Sequence, residues 1–235
     1  MRRLHPWNLD YAAAVAVQER LAGRVEEGPP LAEARTLAAA DVSGGRGGEW
    51  IAAAVVLVDA ETMDVLEVRR AGMNALWPYV PGCLSFREIP VVLKAFSRLR
   101  RRPDVVLCDG QGRAHPRRLG LASHLGLALD VPTIGCAKSR LVGEVRGTLG
   151  RERGSRAALV DQGERIGTVL RTRTGVKPLY VSVGHRIDLA SAERWVLAAA
   201  TRYRLPEPSR LAHQAVTAHK KEHQGGGHFS RAPSR

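Results

Sequence analysis

Three acidic residues, Asp41, Glu88 and Asp109, stand beside small or apolar residues at positions where the pattern predicts that strands and helices begin or end. Asp41 follows three alanines at 38–40, and Asp109 ends a short apolar run. Carboxylates gathered at one point repel each other unless a cation neutralises them. Oxygen-only ligands favour Mg²⁺ or Mn²⁺ over zinc. The three acids therefore predict a magnesium site, provided that the fold brings them together.

Each of these acids also has a purely structural interpretation. Glu88 can complete a capping box with Ser85 at the start of a helix, where the two side chains satisfy free backbone N–H groups. Asp109 can cap the turn that follows it through its own side chain. Asp41 can be a turn residue before the glycine-rich segment 44–48. Spacing alone leaves the choice between these interpretations and the metal site open.

Apolar periodicity and turn residues predict five helices and eight strands. The helices are predicted over 8–22 (with Asn8 as its cap), 85–101, 117–129, 191–203 and 207–222. The strands are predicted over 36–43, 51–59, 65–69, 104–109, 131–136, 157–160, 166–171 and 179–183. Three antiparallel strands followed by strand, helix, strand, helix and strand indicate an α/β sheet with parallel members. Ligands bind at the carboxyl ends of parallel strands, where Asp109 would lie, and Asp41 would join it if the first strand neighbours strand 104–109.

Positive charge is concentrated in three parts of the chain. Lys and Arg number 36 against 23 Asp and Glu, a formal charge of +13. The stretch 94–118 has eight basic and two acidic residues, 138–156 has six and two, and 219–235 has four and one. This predicts a polyanionic partner, with basic side chains forming a phosphate-binding rim around the acidic centre. The alternative is a general basic drift in an arginine-rich proteome.

Composition excludes several other classes of protein. The longest apolar runs, at 12–17 and 51–58, are far shorter than the ~20 residues that span a bilayer, so we expect a soluble cytoplasmic protein with no membrane partner. Three cysteines without a CxxC spacing predict reduced, buried thiols. We expect one domain over 1–222, followed by a disordered basic tail over 223–235.

Five segments resemble the signature motifs of the endonuclease V family, the deoxyinosine-directed repair nucleases. In chain order they are PYVPGCLSFRE at 78–88, DGQGRAHPR at 109–117, PTIGCAKS at 132–139, VGH at 183–185 and PEPSRLAH at 206–213. Because five motifs occur in the family's order across roughly residues 36–213, a chance match is very improbable.

The resemblance implies an RNase H-like α/β fold, with a mixed central sheet flanked by helices. It also implies hydrolysis of the second phosphodiester 3′ to deoxyinosine or a related deaminated base in damaged DNA. The reaction would depend on Mg²⁺, for which Mn²⁺ can substitute, and would leave a 3′-hydroxyl and a 5′-phosphate.

The same resemblance assigns roles to individual residues. Asp41 and Asp109 would be direct metal ligands, and Glu88 a ligand either directly or through water. His213 resembles a fourth catalytic position, and Lys138 resembles a family lysine near the scissile phosphate. From the residues alone, His213 would be a surface helix histidine and Lys138 a solvated lysine.

Base recognition is predicted around the first motif. Tyr79 stands between Pro78 and Pro81, which stiffen the backbone. The resemblance implies that this ring is a wedge that fills the gap left when the damaged base leaves the stack. The alternative is a core tyrosine in a proline-bounded turn. Small glycines would let the main chain approach the flipped base. The full predicted set for DNA and base binding is Tyr79, Pro81, Gly82, Leu84, Gly112, His115 and Gly135.

Two other functions remain open from the sequence. The same motifs would serve an endoribonuclease acting on inosine-containing RNA, since only the 2′-hydroxyl distinguishes the two substrates. The basic stretches alone would suit a non-catalytic nucleic-acid-binding module. The chain carries no dimerisation signal, so we expect a monomer.

Overall fold

The computed structural model describes residues 1–44 and 49–225. Most of the predicted loop 44–48, and the tail beyond 225, lie outside the described residues. The helices are α1 (Tyr11–Ala22), α2 (Leu84–Phe96), α3 (Leu121–Leu129), α4 (Leu189–Ala199) and α5 (Glu207–Gly225). The strands are β1 (Thr36–Gly44), β2 (Trp50–Asp59), β3 (Val65–Asn74), β4 (Val105–Cys108), β5 (Thr133–Ala137), β6 (Glu144–Arg146), β7 (Arg156–Asp161), β8 (Glu164–Leu170) and β9 (Leu179–His185).

All of the described strands join one mixed sheet in the order β3-β2-β1-β4-β5-β9-β8-β7-β6. Strands β1, β4 and β5 run parallel to one another, and the other pairs are antiparallel. Ala40 on β1 is in register with Cys108 on β4. Asp41 is the next residue on β1 and Asp109 is the first residue after β4, so the two lie side by side at the carboxyl end of β4. The predicted mixed sheet is confirmed.

The centre of the sheet is apolar on both faces. Alternate residues of β1 face opposite sides, as the period of two in a strand requires. Leu37 belongs to a core shared with α4 and α5, whereas Ala38 belongs to a core shared with α2 and α3. The helices thus cover both faces, which explains why the central strands read as continuous apolar runs.

The capping box predicted at Ser85 and Glu88 is wrong. Helix α2 begins at Leu84, and its N-cap residue, Cys83, makes no side-chain capping bond. The Ser85 hydroxyl instead lies 3.0 Å from Nδ1 of the buried His124 on α3. The Ser85 hydroxyl therefore makes a tertiary hydrogen bond instead of capping the helix, and Glu88 has no part in the cap.

Other element ends also differ from the prediction. Asp10, not Asn8, caps α1, because its side chain accepts a hydrogen bond from the Ala13 N–H. Helix α3 begins at Leu121 rather than 117, since Arg118 has a φ of 54°, which a helix does not allow. Helix α2 ends at Phe96 and α4 at Ala199, earlier than predicted. The short exposed strand β6 was not predicted because its three residues carry no apolar pattern.

Two predictions on composition can be checked directly. The three cysteines are free and buried, as predicted. Within residues 1–44 and 49–225, no helix has the length and apolar character needed to cross a membrane.

Candidate active site

Asp41, Glu88 and Asp109 line one small cavity of about 20 Å³ at the carboxyl edge of β1 and β4. The two aspartates follow directly from the register of the parallel strands. Glu88 reaches the same cavity from α2, which packs across β1 and β2. The fold therefore brings together the three acids that the sequence pattern singled out.

The electrostatics of this centre favour a cation. Burial raises the pKa of Asp41 and the neighbouring Asp109 carboxylate adds to the rise, while the hydrogen bond to His213 opposes it. Burial, followed by the charges of Asp41 and Asp109, raises the pKa of Glu88 to about 8. Carboxylates gathered at one point in this way are stabilised by a positive charge among them. An all-oxygen donor set of this kind fits a divalent cation such as Mg²⁺.

Two basic side chains of the protein already contact this centre. Nδ1 of His213 lies 2.7 Å from Oδ2 of Asp41, and Nζ of Lys138 donates a hydrogen bond to Oδ2 of Asp109. The side chains of His213 and Lys138 are 64% and 45% exposed, so both can also reach a ligand in solvent. Across the described residues, no three acidic, histidine or thiol groups already stand in metal-ligand geometry. A cation would have to compete with Lys138 for Asp109.

A larger cavity of about 340 Å³ adjoins the acidic centre, and Asp109 lines both. The exposed ring of Tyr79, 64% accessible, stands on its rim. Five of the residues predicted to bind DNA or the base line this cavity, and Lys138 lies in its wall. These five are Tyr79, Pro81, Gly82, Leu84 and His115.

Gly112 and Gly135 do not line this cavity. A Cβ atom on Gly112 would lie 2.0 Å from the backbone oxygen of Val183, and one on Gly135 would lie 2.4 Å from the backbone nitrogen of Gly112. These glycines allow the 109–120 loop to pack against β5 and β9. The structure thus gives them a packing role, and base binding by these glycines stays a prediction.

His115 is buried and neutral. Its Nδ1 accepts a hydrogen bond from the Arg117 backbone N–H, so the proton is on Nε2, which donates to the Gly82 carbonyl. Burial, followed by the charge of Arg117, lowers the pKa of His115 to about 4. Both ring nitrogens are therefore used within the protein, and direct base binding by His115 stays a prediction.

Gln18 is a cavity residue that the sequence pattern did not reveal. It lies on α1, is only 1% exposed and lines the larger cavity. Ala14, Gln18 and Leu21 form the buried face of the helix. A glutamine in an otherwise apolar stripe was the one signal that could have found it.

Arg204, also unpredicted, supports Lys138. Its Nη2 donates to the backbone carbonyls of Lys138 and Pro178, each at 2.7 Å. Arg204 lies in the segment between α4 and α5. Its hydrogen bond to Lys138 therefore links the start of α5, the helix that carries His213, to the loop that carries Lys138. No local pattern marks it, since the contact depends on the packing of distant segments.

The predicted basic rim is wrong in its placement for residues 94–104, the first part of stretch 94–118. The segment that joins α2 to β4 precedes β4, so it lies at the amino edge of the parallel strands, opposite Asp109. Lys94 and Arg98 donate to the backbone carbonyls of Gly72 and Arg70 on β3, which covers an edge strand that would otherwise pair with other chains.

The arginines at the end of that stretch form ion pairs with the protein itself. Arg113 pairs with Glu27 and Glu164, and Arg118 pairs with Asp161 and Glu164. In stretch 138–156, by contrast, Lys138 and Arg140 line the larger cavity. The basic side chains beside the acidic centre are thus a small part of the total charge.

An acidic centre at the edge of a mixed sheet, with a lysine beside it and a cavity large enough for a base, defines a hydrolase of the nuclease class. The chain belongs to the Endonuclease V family, whose model matches residues 19–214. The Endonuclease V of Rhodospirillum centenum is 55% identical over 214 residues, which cover 90% of this chain and 89% of that one.

Solved structures agree with this assignment. The crystal structure of Endonuclease V from Streptomyces avermitilis is 43% identical and superposes with a TM-score of 0.87, covering 93% of this chain and 96% of that one. A Ciona intestinalis Endonuclease V, 25% identical with a TM-score of 0.79, covers 90% of this chain and 97% of its own. It was crystallised with a 23mer DNA containing an inosine followed by a ribo-adenosine. The predicted family and the RNase H-like α/β fold are confirmed.

Proposed function

We propose that the protein is a Mg²⁺-dependent DNA repair endonuclease that nicks the second phosphodiester 3′ to deoxyinosine and related deaminated bases. The products would carry a 3′-hydroxyl and a 5′-phosphate. The observation that carries this proposal is that Asp109 lines both the acidic cavity and the larger one. A base held in the larger cavity would leave its own strand within reach of the acidic centre.

Recognition of a flipped base is supported by the shape of the site. A cavity of about 340 Å³ falls in the range that encloses small ligands, which includes a purine base. Enzymes that act on a base in a duplex take it out of the stack, and an inserted side chain can occupy the space it leaves. Tyr79 is exposed on the rim, where it can do this. The inosine-containing DNA bound by the Ciona relative supports the same lesion here.

Asp41, Glu88 and Asp109 would hold the metal ion. When bound, Mg²⁺ would stabilise negative charge at the phosphate and lower the pKa of a water molecule bound to it. Mn²⁺ would substitute for Mg²⁺. Lys138 is partly exposed and its backbone carbonyl is bound by Arg204, which supports a role in pairing with a phosphate oxygen near Asp109. The contact of His213 with Asp41 supports a role for this histidine in orienting water or moving a proton at the Asp41 side of the centre.

Inosine-containing RNA is a second candidate substrate. The DNA bound by the Ciona protein has a ribo-adenosine after the inosine, so that relative accommodates a ribose next to the lesion. Matched strands that differ only in the 2′-hydroxyl groups around one inosine would rank the two substrates for this chain.

The proposal is tested by nicking assays on one end-labelled duplex that contains a single deoxyinosine, beside the same duplex with deoxyadenosine. We expect the wild type to nick only the deoxyinosine strand, with Mg²⁺ and not with chelator. Asp41→Ala and Asp109→Ala should bind the duplex but not nick it. Asp64→Ala, which removes an exposed carboxylate from the turn between β2 and β3, is the matched control and should nick normally. Full activity of Asp109→Ala would contradict the metal-site assignment.

A further inference from the structure

The backbone carbonyl of Gly82 accepts three hydrogen bonds. Nε2 of Gln18 donates at 2.9 Å, Nε2 of His115 at 3.1 Å and Nη2 of Arg117 at 2.8 Å. A carbonyl oxygen has two lone pairs, so three converging donors on one oxygen exceed what ordinary pairing requires. We call these three donors, Gln18, His115 and Arg117, the Gly82 clamp.

The members of the Gly82 clamp also hold one another. Oε1 of Gln18 accepts from Nε of Arg117 at 2.6 Å, and Nδ1 of His115 accepts from the Arg117 backbone N–H at 3.2 Å. Gln18 and His115 are 1% and 4% exposed. Hydrogen bonds shielded from water in this way reinforce one another, so the clamp is rigid.

The clamp fixes the turn from which Tyr79 projects. Gly82 has a φ of 75°, a conformation that favours glycine, and the Cys83 N–H closes the turn onto the Val80 carbonyl at 3.0 Å. Pro81 restricts the backbone between Tyr79 and Gly82. An exposed aromatic ring is thus mounted three residues from a buried anchor.

We propose that Gln18, His115 and Arg117 are positioning residues that hold Tyr79 in its wedge conformation before DNA binds. This inference rests on the proposed function, because it assumes that Tyr79 contacts DNA beside the lesion. A preordered wedge avoids the entropy loss of ordering a loop on binding. Loosening the clamp should therefore reduce discrimination between damaged and undamaged DNA. Gln18 lies just outside the residues matched by the family model.

The test is the ratio of kcat/KM for a deoxyinosine duplex to that for the matched deoxyadenosine duplex. Gln18→Met keeps the side-chain size but removes the donor to Gly82 and the acceptor for Arg117. We expect the ratio to fall about 5- to 10-fold, because two hydrogen bonds of the clamp are lost. Arg117→Lys keeps the charge but loses the planar fork that joins Gln18 to Gly82, and should lower the ratio similarly.

A double-mutant cycle separates positioning from a general structural effect. If the clamp acts through Tyr79, Gln18→Met should not lower the ratio further in a Tyr79→Ala background. Thr133→Val is the matched control, since Thr133 is fully buried and its hydroxyl donates to the Ala122 carbonyl at 2.8 Å, outside the Gly82 clamp. It should leave the ratio unchanged. Thermal unfolding of every variant shows which are folded, and Arg117→Lys replaces Gln18→Met if the latter is not.

The possible outcomes distinguish the two proposals. A wild-type protein that cleaves deoxyinosine and deoxyadenosine duplexes equally would overturn the proposed function. A wild type that prefers deoxyinosine, together with folded clamp variants of unchanged ratio, would overturn the positioning role alone. The positioning role also fails if Gln18→Met lowers the ratio equally with and without Tyr79, or if Tyr79→Ala leaves the ratio unchanged.

Discussion

Replacing His115 with glutamine should flatten part of the dependence of stability on pH. The pKa of His115 is lowered from 6.5 to about 4, mainly by burial and further by Arg117. Between these values the unfolded chain binds a proton that the native protein does not. The contribution of neutral His115 to the free energy of unfolding is therefore fully present above pH 6.5 and is lost as the pH falls towards 4.

The size of the effect follows from the shift. One pKa unit corresponds to 1.36 kcal/mol, so a fall from 6.5 to about 4 limits the loss to about 3 kcal/mol. Burial also lowers the pKa of His5, His124 and His185, so the wild type and the variant will both be destabilised by acid. Their difference reports the contribution of His115 together with its electrostatic effect on His124.

The assay is urea unfolding of both proteins at several pH values from 7 to 4.5, with chelator present. The variant loses hydrogen bonds and should be less stable at pH 7, but its disadvantage should shrink steadily as the pH falls. Thr133→Val, which changes no titrating group, should keep a constant offset from the wild type. Parallel curves for His115→Gln and the wild type would refute the neutral, buried state of this histidine.

Three further predictions concern the acidic centre and its packing. Lys138→Ala should lower the Mg²⁺ concentration for half-maximal activity about 2- to 5-fold, because the lysine no longer competes for Asp109. The same variant should have a lower kcat. An unchanged Mg²⁺ requirement would show that the ion pair does not compete with the metal ion. Mg²⁺ binding at pH 7 should release close to one proton, because the pKa of Glu88 is about 8 in the metal-free protein. Calorimetry in two buffers of different ionisation enthalpy measures this release, which should vanish in Glu88→Gln. Gly112→Ala should lower the melting temperature markedly, because its Cβ would lie 2.0 Å from a backbone oxygen of β9, whereas Gly23→Ala, with open space around it, should not.

Much of the acidic centre follows from local sequence because strand order and register decide where it lies. Once β1 and β4 are parallel neighbours, Asp41 and Asp109 must meet at one edge. The apolar runs of these strands are strong local signals, and the two carboxylates follow directly after them. Glu88 was harder to place, because a capping box and a ligand role give the same local pattern until the partner of Ser85 is known.

The distribution of charge could not be predicted in the same way. Arg113 and Arg118 looked like phosphate-binding residues, but their partners, Glu27, Asp161 and Glu164, come from distant segments. Ion pairing of this kind depends on tertiary structure alone. A count of net charge therefore identifies a basic protein without showing which arginines remain available to a ligand.

Gln18 shows the same limit for polar residues inside the protein. Its side chain joins α1 to Gly82 and Arg117, which are 64 and 99 residues away along the chain. The sequence indicates only that a polar residue occupies a buried helical position. Which groups it satisfies becomes visible when the elements are packed.

The most direct test of the proposed chemistry is to map the cleavage site on one duplex with a single deoxyinosine, labelled at either end, with Mg²⁺ and with chelator. The proposal predicts one nick at the second phosphodiester 3′ to the lesion, with a 3′-hydroxyl that a polymerase extends and a 5′-phosphate that a ligase accepts. It also predicts no product with chelator. Cleavage at another bond, ends of the opposite kind, or equal cleavage without a divalent cation would contradict it.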